Sequence, residues 1–92
     1  MAEYTIIENE EMKRYETTVD GHLAKLDYMG SRTSRALVHT EVPDELEGQG
    51  IGSALAKFAL EDAREKGHKV IVTCPFVIAY IRRHPEYRDV VL

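Results

Sequence analysis

The sequence predicts an α+β (mixed α/β) domain with one mostly antiparallel sheet, two helices and a parallel-type crossover at a glycine-rich loop. Three observations lead there. Asp20-Gly21 separates two strand-like runs, which is a strong hairpin signal. An alanine-rich run with apolar residues three and four apart follows the glycines at 48, 50 and 52. A short β-branched segment comes next, and strand-helix-strand order permits a parallel pair. Residues 1–92 are expected to form one domain with an adequate core.

Tyr4–Ile7 reads as a first short strand. Arg14–Val19 and His22–Tyr28 flank the Asp20-Gly21 turn as the two arms of the hairpin. Met29–Ser34 is a polar turn, and Arg35–Val42 is the next strand, stopped by Pro43. Pro43–Glu47 is a loop. The helix predicted from it spans Gln49–Lys66 and ends at Gly67, a residue suited to a left-handed cap. Ile51, Ala54, Leu55, Phe58 and Ala59 share one face of it. Leu60 falls on the far side, so the helix is either covered on two faces or meets a partner there, as in a weak homodimer. Lys69–Thr73 is a buried strand. Phe76–Arg83 is a second helix with Pro75 in its first turn, where a missing N–H costs nothing. Pro85 ends it, and Asp89–Leu92 is read as a last short strand.

Composition removes several functional classes. The net charge is −4, which argues against binding nucleic acid by neutralising phosphates. Cys74 is the sole cysteine, so no intrachain disulfide and no thiolate metal cluster is expected, in keeping with a reducing, cytoplasmic setting. His22, His39, His68 and His84 show no metal-ligand spacing. The start of the chain lacks a basic segment followed by an apolar one, as a signal peptide would need. Val70–Ile81 is too short to cross a bilayer, so no membrane partner is expected.

The stretch Glu47-Gly48-Gln49-Gly50-Ile51-Gly52-Ser53 carries the most chemical information. Glycine lets the backbone turn sharply and approach a ligand closely. The first N–H groups of a helix lack internal partners and lie at the positive end of its dipole. Together these suit a phosphate or diphosphate. Two nucleotide-binding patterns do not fit. A P-loop needs Lys-Ser/Thr after its last glycine, where this chain has Ser53-Ala54. A dinucleotide fold needs an acidic residue about twenty positions on, where this chain has Thr73-Cys74.

Thr40-Glu41-Val42-Pro43, then a short loop, then Gly50-Ile51-Gly52-Ser53-Ala54-Leu55, resembles the cofactor motif of the GCN5-related N-acetyltransferases (GNAT). Gly50 and Gly52 match the glycines of the Gln/Arg-x-x-Gly-x-Gly/Ala signature, and Glu47 stands where Gln or Arg is usual. Val70–Tyr87, with Cys74-Pro75-Phe76-Val77 and His84-Pro85-Glu86-Tyr87, resembles the small single-domain GNAT-like family of the YidJ/YjdJ type. The resemblance implies a minimal GNAT-like fold, acetyl-coenzyme A as cofactor and an amine acceptor, a small amine or a peptide. It further implies an acceptor side left open. The backbone of Gln49, Gly50, Ile51, Gly52 and Ser53 would hold the diphosphate. Val42 would contact the pantetheine arm in a gap where its strand splays from the next.

Acetyl transfer also needs a base for the amine and an acid for the leaving thiolate. His39 and Glu41 lie two apart on one strand, share a face and are candidate bases. An imidazole changes charge near neutral pH, which suits that role. Cys74, at a strand tip before a helix, would lie near the coenzyme sulfur. There it takes the acetyl group, protonates the leaving thiolate or only packs. Tyr80 falls where the superfamily often has an acid tyrosine. Lys57, Arg82 and Arg83 are candidates for the 3′-phosphate or adenine end. An acetyl-coenzyme A-binding module with little catalysis and a protein-interaction domain with a plain helix cap are the competing readings.

Overall fold

A hairpin organises the first half of the chain. The computed structural model describes residues 4–31 and 33–92. It has strands β1 (Ile7–Asn9), β2 (Arg14–Val19), β3 (His22–Gly30), β4 (Arg35–Glu41) and β5 (Val70–Val72). Helix α1 is Ile51–Glu65 and α2 is Pro75–Arg83. Short 3₁₀ turns occupy Asp44–Leu46 and Pro85–Val90. One sheet of order β1-β2-β3-β4-β5 is antiparallel except for the parallel β4–β5 pair. This matches the predicted class.

The hairpin forms where expected because Asp20 and Gly21 both take positive φ, 51° and 79°, the twist a two-residue connection requires. Along β2 and β3, Tyr15, Thr17, Ala24, Leu26 and Tyr28 are buried while their neighbours are not, so one sheet face is covered. Helix α1 packs across β2 and β3, and α2 packs against β4 and α1. Leu60 is fully buried in this core together with Leu55, Ala56 and Ala59, so α1 is covered on two faces by its own chain. Phe58, placed on the predicted core face, is 37% exposed.

Helices α1 and α2 and strands β4 and β5 shift by one or two residues from expectation, and three further differences have a visible cause. The first strand is Ile7–Asn9 rather than Tyr4–Ile7: Tyr4 is occupied elsewhere, its hydroxyl donating to the Gln49 carbonyl at 2.6 Å. Strand β3 runs on to Gly30, which has φ 90° and lies against the Ser34 carbonyl, where no side chain fits. The segment read as a last strand, Asp89–Leu92, is mostly the end of a 3₁₀ turn started by Pro85. Tyr87 and Val90 are buried on one side of that turn, and only Val91 bridges to Val70.

A polar cluster joins the sheet to α1 at the end far from the glycines. Arg35 Nη1 donates to Tyr15 Oη at 2.8 Å and pairs with Glu8 at 3.1 Å. Its guanidinium lies 3.8 Å over the Tyr28 ring. Tyr28 donates to Glu8 at 2.6 Å, and Tyr15 to Asp62 at 3.0 Å. Arg35 Nε is buried without a hydrogen-bond partner among the described residues; the aromatic face beneath the guanidinium partly compensates.

Candidate functional site

Strand β4 has one residue more than its neighbour requires. Asp27 pairs with His39 and Tyr28 with Leu37, which leaves Val38 as the extra residue of a β-bulge. Before it, Arg35 and Leu37 point toward the helices. After it, Thr40 takes that direction, while His39 and Glu41 are exposed on the outer face. Parallel pairing with β5 runs from Arg35↔Val70 to Leu37↔Val72. Both Thr73 and Cys74 then donate their backbone N–H to the Leu37 carbonyl at 3.1 Å. Past that point the described residues show no further β4–β5 pairs, and Thr40 Oγ1 meets Cys74 Sγ at 3.2 Å.

This parting leads into a cleft of about 380 Å³. Thr40 and Val42 of the strand's end, Glu47, Gly50, Ile51, Gly52 and Ser53 of the loop and first turn, and Phe76 and Arg83 of α2 line it. Gly50 precedes α1 with φ 74° and makes no side-chain cap. Its carbonyl accepts the first helical bond, from Ala54 N–H at 3.0 Å. Among the described residues nothing accepts from the N–H groups of Gly50, Ile51, Gly52 or Ser53. A second groove, about 720 Å³, shares Gly50 and Ser53 with the cleft and continues along α1 past Lys57 to Glu61. Tyr4, Ile6, Tyr80 and His84 also line it.

A family model for GCN5-related N-acetyl-transferase matches residues 14–90. The chain belongs to this family. It is 33% identical to the GCN5-like protein from Staphylococcus aureus solved by NMR, with a TM-score of 0.73 over 100% of this chain and 91% of that one. Among curated proteins, Protein NATD1 of Homo sapiens is 41% identical over 59 residues, 64% of this chain and 51% of that protein. Protein NATD1 of Xenopus tropicalis is 39% identical over 59 residues, 64% of this chain and 53% of that protein. The chain spans about half the length of these relatives.

In this GNAT domain the predicted site residues fall in several separate places. Val42, Gly50, Ile51, Gly52 and Ser53 line the cleft together; Gln49 lines the groove beside it. His39 and Glu41 stay together but on the outer sheet face, with side chains 59% and 62% exposed and Nε2···Oε1 at 3.4 Å. Cys74 is 2% exposed at the N-cap of α2 and reaches the cleft wall through Thr40. Tyr80 lines the groove, not the cleft, and its ring stacks on His84 at 4.2 Å. Burial, followed by the Glu86 and Glu61 charges, raises its pKa. Arg83 lines the cleft and Lys57 the groove, whereas Arg82 lies in a separate hollow beside β5 and the last 3₁₀ turn.

The GNAT glycines serve distinct purposes here. Gly50 supplies a left-handed turn into α1. Gly52 makes room for an aromatic ring: a Cβ there would stand 2.7 Å from Phe76 Cζ. Sequence reasoning missed Phe76, although it follows Cys74-Pro75 directly. It also missed Thr40, for which no signal existed without knowledge of the bulge. Among the described residues no group of His, Cys, Asp and Glu converges as a metal site, and no helix is long and apolar enough to cross a membrane.

Proposed function

We propose that this domain binds acetyl-coenzyme A along the cleft and transfers the acetyl group to an amine. One observation carries the reading: a run of unpaired amides lines the same cleft as Thr40 and Val42, which lie beyond the last β4–β5 pair. Such amides attract a diphosphate through hydrogen bonds and the helix dipole. The Arg83 cation in the cleft lining fits the same ligand; the Glu47 carboxylate opposes it. Membership of the GNAT family supports the choice of cofactor.

Acetyl-coenzyme A supplies an acyl group already activated as a thioester. The chain's own residues do the rest. Backbone amides from Gln49 to Ser53 hold the diphosphate, and the Val42 backbone orients the arm. Lys57 or Arg83 meets the 3′-phosphate. Glu41, or His39 beside it, takes the amine proton, and their exposure allows a water to carry it. Of the two candidate acids, Cys74 lies where the strands part and Tyr80 lies in the neighbouring groove, which favours Cys74.

Glu47 in the cleft wall favours a second reading, an acetyl-coenzyme A-binding module with little or no activity. Thermal unfolding with and without millimolar acetyl-coenzyme A tests both. A ligand bound only to the native state stabilises it by about 2.7 kcal/mol at a hundredfold excess over its Kd. A raised Tm with amine-dependent thiol release supports the enzyme. A raised Tm without release across a panel of amines and peptides supports the module. An unchanged Tm removes both.

A further inference from the structure

We propose that Thr40 is the group through which the buried thiol of Cys74 acts on the cleft, its hydroxyl protonating the departing thiolate while Cys74 resupplies the proton. This rests on the acetyl-transfer reading above.

Cys74 is 2% exposed and is not among the residues lining the cleft. Thr40 is among them, with Oγ1 3.2 Å from Cys74 Sγ. Both groups are held by backbone. Cys74 N–H donates to the Leu37 carbonyl at 3.1 Å, and the Val38 bulge turns Thr40 inward. A hydroxyl donates and accepts at once, so it passes a proton without moving its oxygen. The alternative acid, Tyr80, opens onto the groove along α1 instead.

The balance closes. The amine nitrogen bonds to the acetyl carbon and the carbon–sulfur bond breaks. The coenzyme sulfur takes the Thr40 hydroxyl proton, and Thr40 Oγ1 takes the proton of the Cys74 thiol. The proton lost by the amine then returns through solvent to the Cys74 sulfur. Thr40 is the catalytic residue in this scheme and Cys74 acts through it.

Thr40→Val keeps the side-chain shape and removes the hydroxyl. We expect kcat to fall about a hundredfold, as for loss of a general acid, with KM for acetyl-coenzyme A within about twofold. Thr40→Ser should restore kcat to within about threefold of the parent. Thr40→Val combined with Cys74→Ala should be no slower than the slower single variant, because the two act as one unit. A readout independent of turnover is alkylation of Cys74 by iodoacetamide in the ligand-free protein. Thr40→Ala should speed it about tenfold by uncovering the sulfur, and coenzyme A should slow it again. Parent-like kcat in Thr40→Val, or unchanged alkylation in Thr40→Ala, overturns the proposal while leaving acetyl transfer intact. A parent protein whose Tm ignores acetyl-coenzyme A defeats the acetyl-transfer reading, and the proposal with it.

Discussion

A single missing methyl group shapes the cleft. Gly52 gives up a side chain so that the Phe76 ring can rest on the first turn of α1. Gly52→Ala would place a Cβ 2.7 Å from the ring's far carbon. The ring is 39% exposed and has room to swing, so the expected loss is about 1 kcal/mol, the low end for overpacking. Urea unfolding measures it, and adding Phe76→Leu to the same chain should recover most of it. At these glycines the sequence pointed to a ligand or to a plain helix cap, and not to the Phe76 ring. Glycine patterns record where a side chain is forbidden and are silent on which neighbour forbids it.

At the scale of elements, local signals were legible and a register defect was not. Asp20-Gly21 announced the hairpin, and Gly67, with φ 71°, announced the end of α1. The bulge at Val38 left no trace, because β-branched residues around it suit a regular strand equally well. Strict alternation would have put His39 and Glu41 on the face of Leu37. One inserted residue exchanges them for Thr40. Leu60 shows a different limit. A helical wheel reveals an apolar position but not what covers it, and here the chain covers Leu60 itself. Leu60→Ala is expected to cost about 2–5 kcal/mol in urea unfolding, as for a filled core position. Sedimentation should show no change in oligomeric state, since the side chain faces no second copy. A shift toward monomer with little loss of stability would contradict this placement.

For the molecule as a whole, alkaline pH is the exposed flank. Tyr15, Tyr28 and Tyr87 all donate to carboxylates, from Asp62, Glu8 and Glu61. Burial first, with the adjacent acidic groups, raises all three pKa values; Tyr28 is pushed up to about 12. Unfolded, each phenol ionises near 10.0. Above that pH the unfolded chain has released protons that the native chain still holds, so unfolding gains. The share from Tyr28 is complete below pH 10 and drains away as pH rises toward about 12, and the shares from Tyr15 and Tyr87, which are raised further, go on being lost above that. Urea midpoints taken between about pH 9 and about pH 11 should therefore fall, and Tyr28→Phe should flatten part of the slope. The overall plan was readable because hairpin, helix and crossover each had a local marker. The Glu8–Tyr28–Arg35 cluster was not, since its members are joined only by folding.

The bond from the Tyr4 phenol to the Gln49 carbonyl links the start of the described chain to the turn that leads into α1. Tyr4→Phe removes that bond and nothing else from the turn. Should coenzyme A settle on the nearby amides as proposed, this bond would put the edge of the sheet opposite β5 within one contact of the ligand-bearing turn.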